Sequence, residues 1–262
     1  MKTSELFSLE HKVIVVTGGS GYLGSAAALG LLAMGAKVVV ADRAECGHVS
    51  AWSNQAVWIH CDVSDTQSIQ EMFRRSRETF GKIDGLVNMA TYGAGYGPVG
   101  TVDRMTDDDW QIGIDGALGT VFRCTREVIP YLRENGGGSI VNFASMYGVV
   151  SPDPRIYGDS GANNPPNYGA GKAGVLQFTR YCAAHLAPDN IRVNSITPGP
   201  FPNPAQQANQ NESFRRLQRE KIMIGRVGTP QEIVGPVVLL LSDAASYMTG
   251  SDITIDGGWT AW

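Results

Sequence analysis

The chain has 262 residues, of which 43% are apolar and 18% charged, and its formal net charge is -4. This composition is typical of a globular chain with one substantial core and excludes a disordered protein. The acidic balance argues against a dedicated nucleic-acid binder, and the apolar runs are too short to span a membrane. We therefore expect a single domain, residues 1–262, that acts on a small molecule without nucleic-acid or membrane partners.

Cysteine usage indicates a reducing compartment. The cysteines are far apart, with no CxxC pair and no histidine at metal-ligand spacing; they are Cys46, Cys61, Cys124 and Cys182. We interpret all four as free thiols and expect no metal site. Because the first residues contain no apolar run of signal-peptide length, we expect a cytoplasmic protein.

Short runs rich in β-branched residues alternate with segments of helical spacing. The predicted strands are Lys12–Thr17, Ala36–Ala41, Ala56–His60, Gly85–Asn88, Ser139–Ala144, Ile191–Ile196 and Asp252–Ile255. The predicted helices are Gly21–Met34, Thr66–Phe80, Gly119–Glu134, Tyr168–Leu186 and Pro230–Ser242. This alternation predicts an α/β fold, a Rossmann-type doubly wound parallel sheet of about seven strands with helices on both faces.

Two stretches lack a regular pattern and are candidate substrate loops. Ser151–Asn167 contains four prolines, and Pro198–Asn211 is rich in proline, asparagine and glutamine. The second loop is followed by a basic group that also contains glutamates. The group is Arg215, Arg216, Arg219 and Lys221. We favour a solvated helix face for it over a nucleic-acid patch.

A glycine-rich turn joins the first predicted strand to the first long helix. It contains Gly18, Gly19, Ser20, Gly21, Tyr22, Leu23 and Gly24. Glycines allow a pyrophosphate to approach the backbone, and the helix N-terminus supplies N–H donors and positive potential. The turn is thus a candidate dinucleotide site, although tight turning alone is an alternative explanation.

Acidic residues after the next two strands strengthen the dinucleotide interpretation. Asp42 stands where a carboxylate would meet an adenosine ribose, which favours NAD over NADP. Arg43 could partly offset the repulsion of a 2′-phosphate, so NADP stays possible. Asp62, followed by Val63, could bond the adenine edge or could instead be a helix cap.

Tyr168 and Lys172 stand at i and i+4 and therefore share one face of a predicted helix. A phenol titrates near pH 10, but a nearby ammonium favours the phenolate. Tyr168 could then accept the proton of an alcohol. Such a pair is also common by chance, so its place in the chain matters.

In order along the chain, these motifs resemble the short-chain dehydrogenase/reductase family over almost the whole length. The marks are the glycine turn, Asp42, Asp62-Val63, Asn88-Met89-Ala90, Ser145, Tyr168, Lys172, Ile191-Arg192-Val193-Asn194, Pro198-Gly199 and Ile255-Asp256-Gly257-Gly258. The resemblance implies that Ser145 bonds the substrate oxygen, that Lys172 binds the nicotinamide ribose and lowers the Tyr168 pKa, and that Pro198-Gly199 lines the nicotinamide. It also implies cofactor contacts from Asn88 and Ala90.

The sequence departs from the family pattern at four places. Tyr22 replaces the middle glycine of the turn, giving a spacing typical of the extended branch with its epimerases and dehydratases; the chain length fits the single-domain branch better. Ala117 replaces the usual active-site asparagine, which we expect to weaken a proton relay. Asn203 stands where a threonine often contacts the carboxamide. About ten residues are inserted between Ser145 and Tyr168.

The loops suggest a polar substrate. The amide-rich stretch after Asn203 suits hydrogen bonds to a sugar, polyol or sugar acid, similar to gluconate 5-dehydrogenase-like relatives. In the insert, Arg155 and Tyr157 are candidate substrate contacts beside Ser145. Alternatives are a 3-oxoacyl reductase-like carbonyl reductase, an epimerase or dehydratase that retains NAD, and an NAD-binding scaffold with little turnover.

The resemblance implies a homotetramer formed through Gly119–Glu134, Tyr168–Leu186 and Asp252–Ile255. The tail Trp259–Trp262 ends in two large rings, and we expect it to dock on protein, with a neighbouring subunit as one candidate.

Overall fold

Seven parallel strands form one sheet across the molecule. The computed structural model describes residues 3–45, 54–93, 100–160, 163–204 and 211–262. The strands are β1 (Val13–Thr17), β2 (Lys37–Asp42), β3 (Ala56–His60), β4 (Gly85–Asn88), β5 (Gly138–Phe143), β6 (Ile191–Pro198) and β7 (Asp252–Ile255). Their order is β3-β2-β1-β4-β5-β6-β7, and every neighbouring pair is parallel. The order reverses between β1 and β4, the point where open α/β sheets bind ligands at the carboxyl ends of their strands.

Helices cover both faces of this sheet. They are α1 (Thr3–Leu6), α2 (Tyr22–Ala33), α3 (Thr66–Phe80), α4 (Asp107–Ile114), α5 (Thr120–Glu134), α6 (Pro166–Leu186), α7 (Glu212–Lys221) and α8 (Val234–Leu241). Helices α2 and α8 pack on one face, whereas α3, α5 and α6 pack on the other. The predicted doubly wound sheet of seven strands is therefore confirmed.

Alternation along the central strands explains why both layers are needed. In β1, Ile14 and Val16 point into the core beneath α2 and α8, while Val15 points into the core beneath α3 and α5. All three side chains are fully buried. Because a strand buried on both faces loses water from every side chain, it reads in the sequence as a continuous apolar run.

The predicted helices differ from the structure mainly at their starts. Helix α6 begins at Pro166, two residues before the predicted start at Tyr168. Proline is tolerated in the first helical turn because the N–H that it lacks would have no partner there. The segment predicted as one helix from Pro230 begins instead as a 3₁₀ turn, Pro230–Ile233, and continues as α8. The carboxylate of Glu232 accepts from the Thr229 amide at 2.8 Å, which holds that start.

The basic group that follows the second irregular stretch belongs to α7. Its four cations form ion pairs with acids of α7 itself or, for Lys221, with Asp153 at 3.6 Å. This arrangement is that of a solvated helix face. None of the helices in the described part of the chain has both the length and the hydropathy of a membrane span.

Candidate active site

The glycine turn lies between β1 and α2 at the carboxyl edge of the sheet. Gly18 has φ +69°, a left-handed conformation that disfavours other residues. A Cβ on Gly24 would lie 2.0 Å from the Gly18 carbonyl oxygen, so the helix approaches the turn too closely for any side chain. No described side chain caps the start of α2 at Gly21. The turn and the helix N-terminus therefore form a cradle suited to a pyrophosphate.

Tyr22 fits the structure without disturbing this cradle. It is the first residue of α2 and has helical geometry, so the position does not require a glycine. Leu23 follows it and packs against the core beneath α2. The GxxGxxG spacing therefore still gives the turn that a dinucleotide site needs.

We expect Gly24→Ala to lower the affinity for NADH at least about tenfold, because the added methyl group must displace the turn. Gly235→Ala is a matched control, since no described atom other than its chain neighbours and the nearby backbone of its own helix lies within 4 Å of its added Cβ. Alanine there should be neutral or stabilise α8 by up to about 1 kcal/mol. Fluorescence titration with NADH and thermal melts measure both effects. Unchanged affinity in Gly24→Ala would contradict a phosphate cradle at this turn.

Asp42 ends β2 beside the glycine turn. Its carboxylate accepts from the Ser20 amide at 3.1 Å and from the Ala44 amide at 3.2 Å. Arg43 follows it and is exposed. The carboxylate is thus fixed by backbone donors at the edge of the cradle, where it can accept from ribose hydroxyls.

The Asp62 carboxylate accepts hydrogen bonds within the turn that follows it and does not cap a helix. Its carboxylate accepts from the Ser64 amide and hydroxyl at 2.9 and 2.7 Å, and these bonds lower the pKa of Asp62. The cap of α3 is Asp65, which accepts from the amides of Gln67 and Ser68. The helix-cap alternative for Asp62 is therefore wrong, because the cap lies three residues later.

Asn88 lies inside the sheet and supports the loop that follows β4. Its amide nitrogen donates to Thr125 at 3.2 Å and to Asn142 at 2.8 Å, and the Asn142 amide donates to Thr179 at 2.9 Å. The side chain is 3% exposed and faces the interior. Two residues later, the backbone of Ala90 lies 2.9 Å from where a Cβ on Gly18 would stand, so this loop packs directly against the glycine turn.

Ser145 and Tyr168 come together beyond the end of β5. Ser145 begins the turn after that strand, and its hydroxyl accepts from the Tyr147 amide at 3.2 Å. Tyr168 lies in the first turn of α6, hydrogen-bonded to Ser145. Burial raises the pKa of the Tyr168 phenol, and the bond with Ser145 opposes that rise. The pair can hold one substrate oxygen between two hydroxyls.

Lys172 is one helical turn beyond Tyr168 and is almost fully buried. Its ammonium donates to the Phe143 carbonyl at 2.7 Å and lies 5.8 Å from the centre of the Tyr168 ring. Burial lowers the pKa of Lys172 to about 8. A cation in this position favours the phenolate form of Tyr168.

Ala117 lies in a π-helical turn, Asp115–Gly119, that joins α4 to α5. It is 1% exposed and packs against α6, where a Cβ on Gly171 would lie 2.6 Å from the Ala117 methyl group. Two small residues thus meet at the position where the family usually has a longer amide side chain.

Pro198 and Gly199 end β6 at the same edge of the sheet. The Gly199 amide donates to Ile255 in β7 at 3.0 Å, and a Cβ on Gly199 would lie 2.6 Å from the Cα of Asp256. This close approach explains the glycine. Asn203, partly buried, follows in the same loop, and residues 205–210 of the amide-rich stretch lie outside the described residues.

The inserted segment separates the two predicted substrate residues. Arg155 points to solvent, with its side chain 87% exposed and paired with Asp153 at 2.7 Å. Tyr157 is 8% exposed, stacks on Phe214 of α7 with ring centres 5.5 Å apart, and places its hydroxyl 3.3 Å from that of Tyr147. The insert therefore brings Tyr157, and not Arg155, toward the residues that follow Ser145.

Sequence reasoning missed the aromatic cluster that these contacts form. We define the aromatic cluster as Tyr147, Tyr157, Phe214 and Trp259. Trp259 is 1% exposed and meets Tyr147 edge to face at 6.3 Å, so it packs in its own chain and the expectation of a contact with a neighbouring subunit is wrong for this ring. The Asp256 carboxylate accepts from the Gly258 and Thr260 amides and fixes this turn. In the sequence, the only indication of this cluster is that Tyr147 stands two residues after Ser145.

Comparison with known proteins finds relatives that match almost the whole chain. Residues 20–260 match the family described as enoyl-(acyl carrier protein) reductase. The chain is 34% identical to the 3-oxoacyl-(acyl-carrier-protein) reductase FabG of Thermotoga maritima over 95% of its length and 98% of that protein.

Two solved structures superpose on nearly the whole chain. A short-chain dehydrogenase from Leptospira borgpetersenii, crystallised with bound NAD⁺, has a TM-score of 0.87 and 32% identity, covering 99% of this chain and 96% of that one. A putative gluconate dehydrogenase from Agrobacterium tumefaciens has a TM-score of 0.88 and 29% identity, covering 98% and 99%. Since both the family match and the relatives extend over the full fold, the chain is an oxidoreductase and belongs to the short-chain dehydrogenase/reductase family.

Proposed function

We propose that residues 1–262 act as one domain that moves a hydride between NAD(H) and a secondary alcohol or ketone. The observation that carries this proposal is the grouping of Ser145, Tyr168 and Lys172 beside a glycine cradle. When bound, the nicotinamide would accept the hydride from the carbinol carbon during oxidation. Tyr168 would take the hydroxyl proton, Ser145 would hold the oxygen, and the Lys172 ammonium would stabilise the phenolate.

The cofactor would lie along the carboxyl edge of the sheet. The cradle, Asp42 and Asp62-Val63 would hold the adenosine half and the pyrophosphate, with Arg43 nearby. The Asn88-Ala90 loop would support the cofactor from below, and Pro198-Gly199 and Lys172 would contact the nicotinamide half. The fit rests on the close approach at Gly24 and on the fixed carboxylate of Asp42.

NAD is the proposed cofactor because the Asp42 carboxylate would repel a 2′-phosphate. We expect Asp42→Asn to shift the ratio of kcat/KM for NADP over NAD upward by about tenfold, roughly 1.4 kcal/mol, since the amide keeps the shape but loses the charge. Glu10→Gln, an exposed acid before β1, is the control for net charge. Rates at 340 nm with both cofactors give the ratio. A ratio that does not rise would remove the argument for NAD.

For the substrate we propose a sugar, polyol or sugar acid. The amide side chains after Asn203 support it, as does the likeness to the putative gluconate dehydrogenase. A second candidate is a ketone or alcohol with an apolar body, such as an acyl ketoester or a cyclic alcohol. The aromatic cluster favours this candidate, because its half-buried ring Tyr147, two residues after Ser145, would offer apolar contact and a single hydroxyl.

A substrate panel separates the candidates. Aldonic acids, polyols, cyclic alcohols and acyl ketoesters are each assayed with NAD(H) and NADP(H) at 340 nm. Turnover confined to the polyhydroxylated compounds supports the first candidate, and turnover confined to the others supports the second. No turnover on any compound, with NADH binding intact, would instead favour the scaffold alternative.

We also propose a homotetramer in the cytoplasm. Exposed rings on the outer faces of α5 and α6, Phe122 and Tyr181, support contacts between copies of the chain. Among the described cysteines, Cys61, Cys124 and Cys182 are free and buried, as a reducing compartment allows; Cys46 lies outside the described residues. Sedimentation at micromolar concentration tests the assembly, and a monomer there would contradict it.

A further inference from the structure

Arg123 in α5 joins three segments that sequence motifs treat as separate. Its Nε donates to the Val63 carbonyl after β3 at 3.0 Å. Its two terminal nitrogens each donate to the Asp115 carboxylate at 2.8 Å, and one of them lies 3.3 Å from the Tyr92 hydroxyl. The Tyr92 hydroxyl also bonds Asp115. One side chain, only 14% exposed, thus links the loops after β3 and β4 to the π-helical turn.

The loop after β4 is further fixed to the π-helical turn by two hydrogen bonds to one backbone carbonyl. The Gly116 carbonyl accepts from the Thr91 hydroxyl at 3.0 Å and from the Tyr92 amide at 3.4 Å. A Cβ on Gly116 would lie 1.9 Å from the Tyr92 carbonyl oxygen, so the two segments touch. Because Ala90 in this loop packs on Gly18, the position of Tyr92 determines how the loop supports the glycine turn.

The other side of the π-helical turn contacts the helix that carries Tyr168. Ala117 packs on Gly171, one residue before Lys172. Arg123 therefore stands between the cradle side and the catalytic side of the site. It touches neither Ser145 nor Tyr168 in the described structure.

We propose that Arg123 is a positioning residue for dinucleotide binding, which holds the loops after β3 and β4 against the π-helical turn in the geometry that the cofactor requires. The inference rests on the proposed function, because it concerns the same cofactor site. A planar guanidinium with donors in a fixed fork suits three acceptors in different directions, which an ammonium cannot reach together.

The charges of this group support a fixed arrangement. Bonds from Arg123 and Tyr92 lower the pKa of the Asp115 carboxyl against the opposing effect of burial. The same carboxylate raises the pKa of Arg123. The pair thus stays ionised across the range in which the protein would work, and removing one partner leaves the other partly buried without its counter-charge.

The test is Arg123→Gln, with dissociation constants measured by NADH fluorescence, which needs no turnover. We expect the constant to rise roughly tenfold, by analogy with the loss of supporting contacts at metal sites. In contrast, kcat at saturating cofactor should fall no more than about threefold, since Tyr168 and Lys172 keep their contacts. The NADH dissociation constant of Arg123→Lys should lie between those of wild type and Arg123→Gln.

Two further variants separate positioning from simple loss of stability. Tyr92→Phe removes one hydroxyl and keeps the Arg123–Asp115 pair, so it should fold and still weaken NADH binding by about twofold to fivefold. Arg126→Gln, one turn along α5 at an exposed position, should bind NADH as wild type does. If Arg123→Gln does not fold, Tyr92→Phe alone decides: binding equal to wild type overturns the proposal.

The remaining outcomes are also distinct. A lower melting temperature with unchanged NADH affinity in Arg123→Gln would make the residue merely structural and overturn the inference, while leaving the proposed function intact. Wild-type protein that binds neither NADH nor NADPH would overturn the proposed function and this inference with it.

Discussion

Tyr168→Phe should lower kcat about a thousandfold and leave NADH affinity within about twofold of wild type. The phenol is the group that would accept the alcohol proton, and phenylalanine offers no acceptor. The same change removes the hydrogen bond with Ser145, so the substrate oxygen also loses one of its two hydroxyl partners. The ring itself remains, so packing at the start of α6 should change little.

The control is Tyr181→Phe on the same helix, where the ring is 57% exposed and stacks on His185. It should leave kcat unchanged. Assays at 340 nm with the best compound of the panel give the rates, and fluorescence titration gives the affinities. Turnover within tenfold of wild type in Tyr168→Phe would show that another group carries the proton.

The sheet could be predicted from the sequence because its strands are buried on both faces. Residues 38–41 of β2, for example, are continuously apolar, and glycines with positive φ, Gly35 and Gly81, follow the ends of α2 and α3. The first and last residues of strands were less predictable. Lys37 is exposed at the start of β2. Whether the backbone of such a residue joins the sheet depends on the neighbouring strand and not on its own side chain.

The packing of α7 against the inserted segment could not be predicted from the sequence. Helix α7 carries six charged residues and almost no buried side chain, so the sequence indicates a solvated helix face for its basic group but not what the helix packs against. It is stabilised by ion pairs along its surface and by the stacking of Phe214 on Tyr157, a contact across 57 residues that no local pattern records. The same argument applies to Trp259, which docks on protein as expected, although the sequence does not show that its partner Tyr147 lies in its own chain.

The site could be predicted where a motif fixes both residue type and spacing. Ser145, Tyr168 and Lys172 belong to that class, although the bond of Lys172 to the Phe143 carbonyl is a property of the fold alone. Arg123, in contrast, could not be predicted, because no motif identifies it. Its partners lie 8 to 60 residues away, and only the packing of α5 across the sheet brings them together.

Lys172→Met should lower kcat by a factor of a hundred or more, of the order that a positioned proton-transfer partner supplies. Without the ammonium, the Tyr168 phenolate loses its nearest cation, and the proton of the alcohol has no favoured acceptor. The same variant gives a second readout, because Lys172 is a buried cation whose pKa falls to about 8 in the folded chain.

The sign of the stability effect follows from proton linkage. An unfolded lysine titrates near pH 10.4, so between about pH 8 and that value the unfolded chain binds one more proton than the folded chain. Burial raises the pKa of Cys61, Cys124 and Cys182, which gives a contribution that falls with pH and that both proteins share. To the free energy of unfolding of wild type, Lys172 adds a contribution that rises with pH across this window, by at most about 3 kcal/mol at 1.36 kcal/mol per pKa unit. Methionine does not titrate, so Lys172→Met should lack this rise.

Urea unfolding at pH 7.5 and pH 9.5 measures the difference between the two proteins, and comparing slopes with pH removes the constant effect of the lost bond to Phe143. The exposed Lys37→Met should keep the pH dependence of wild type. If the free energies of unfolding of Lys172→Met and wild type changed equally with pH, Lys172 would carry the same charge in the folded and the unfolded chain. Burial would then not lower its pKa. A buried cation costs stability at neutral pH, and in the proposed function the charge of Lys172 would stabilise the phenolate of Tyr168.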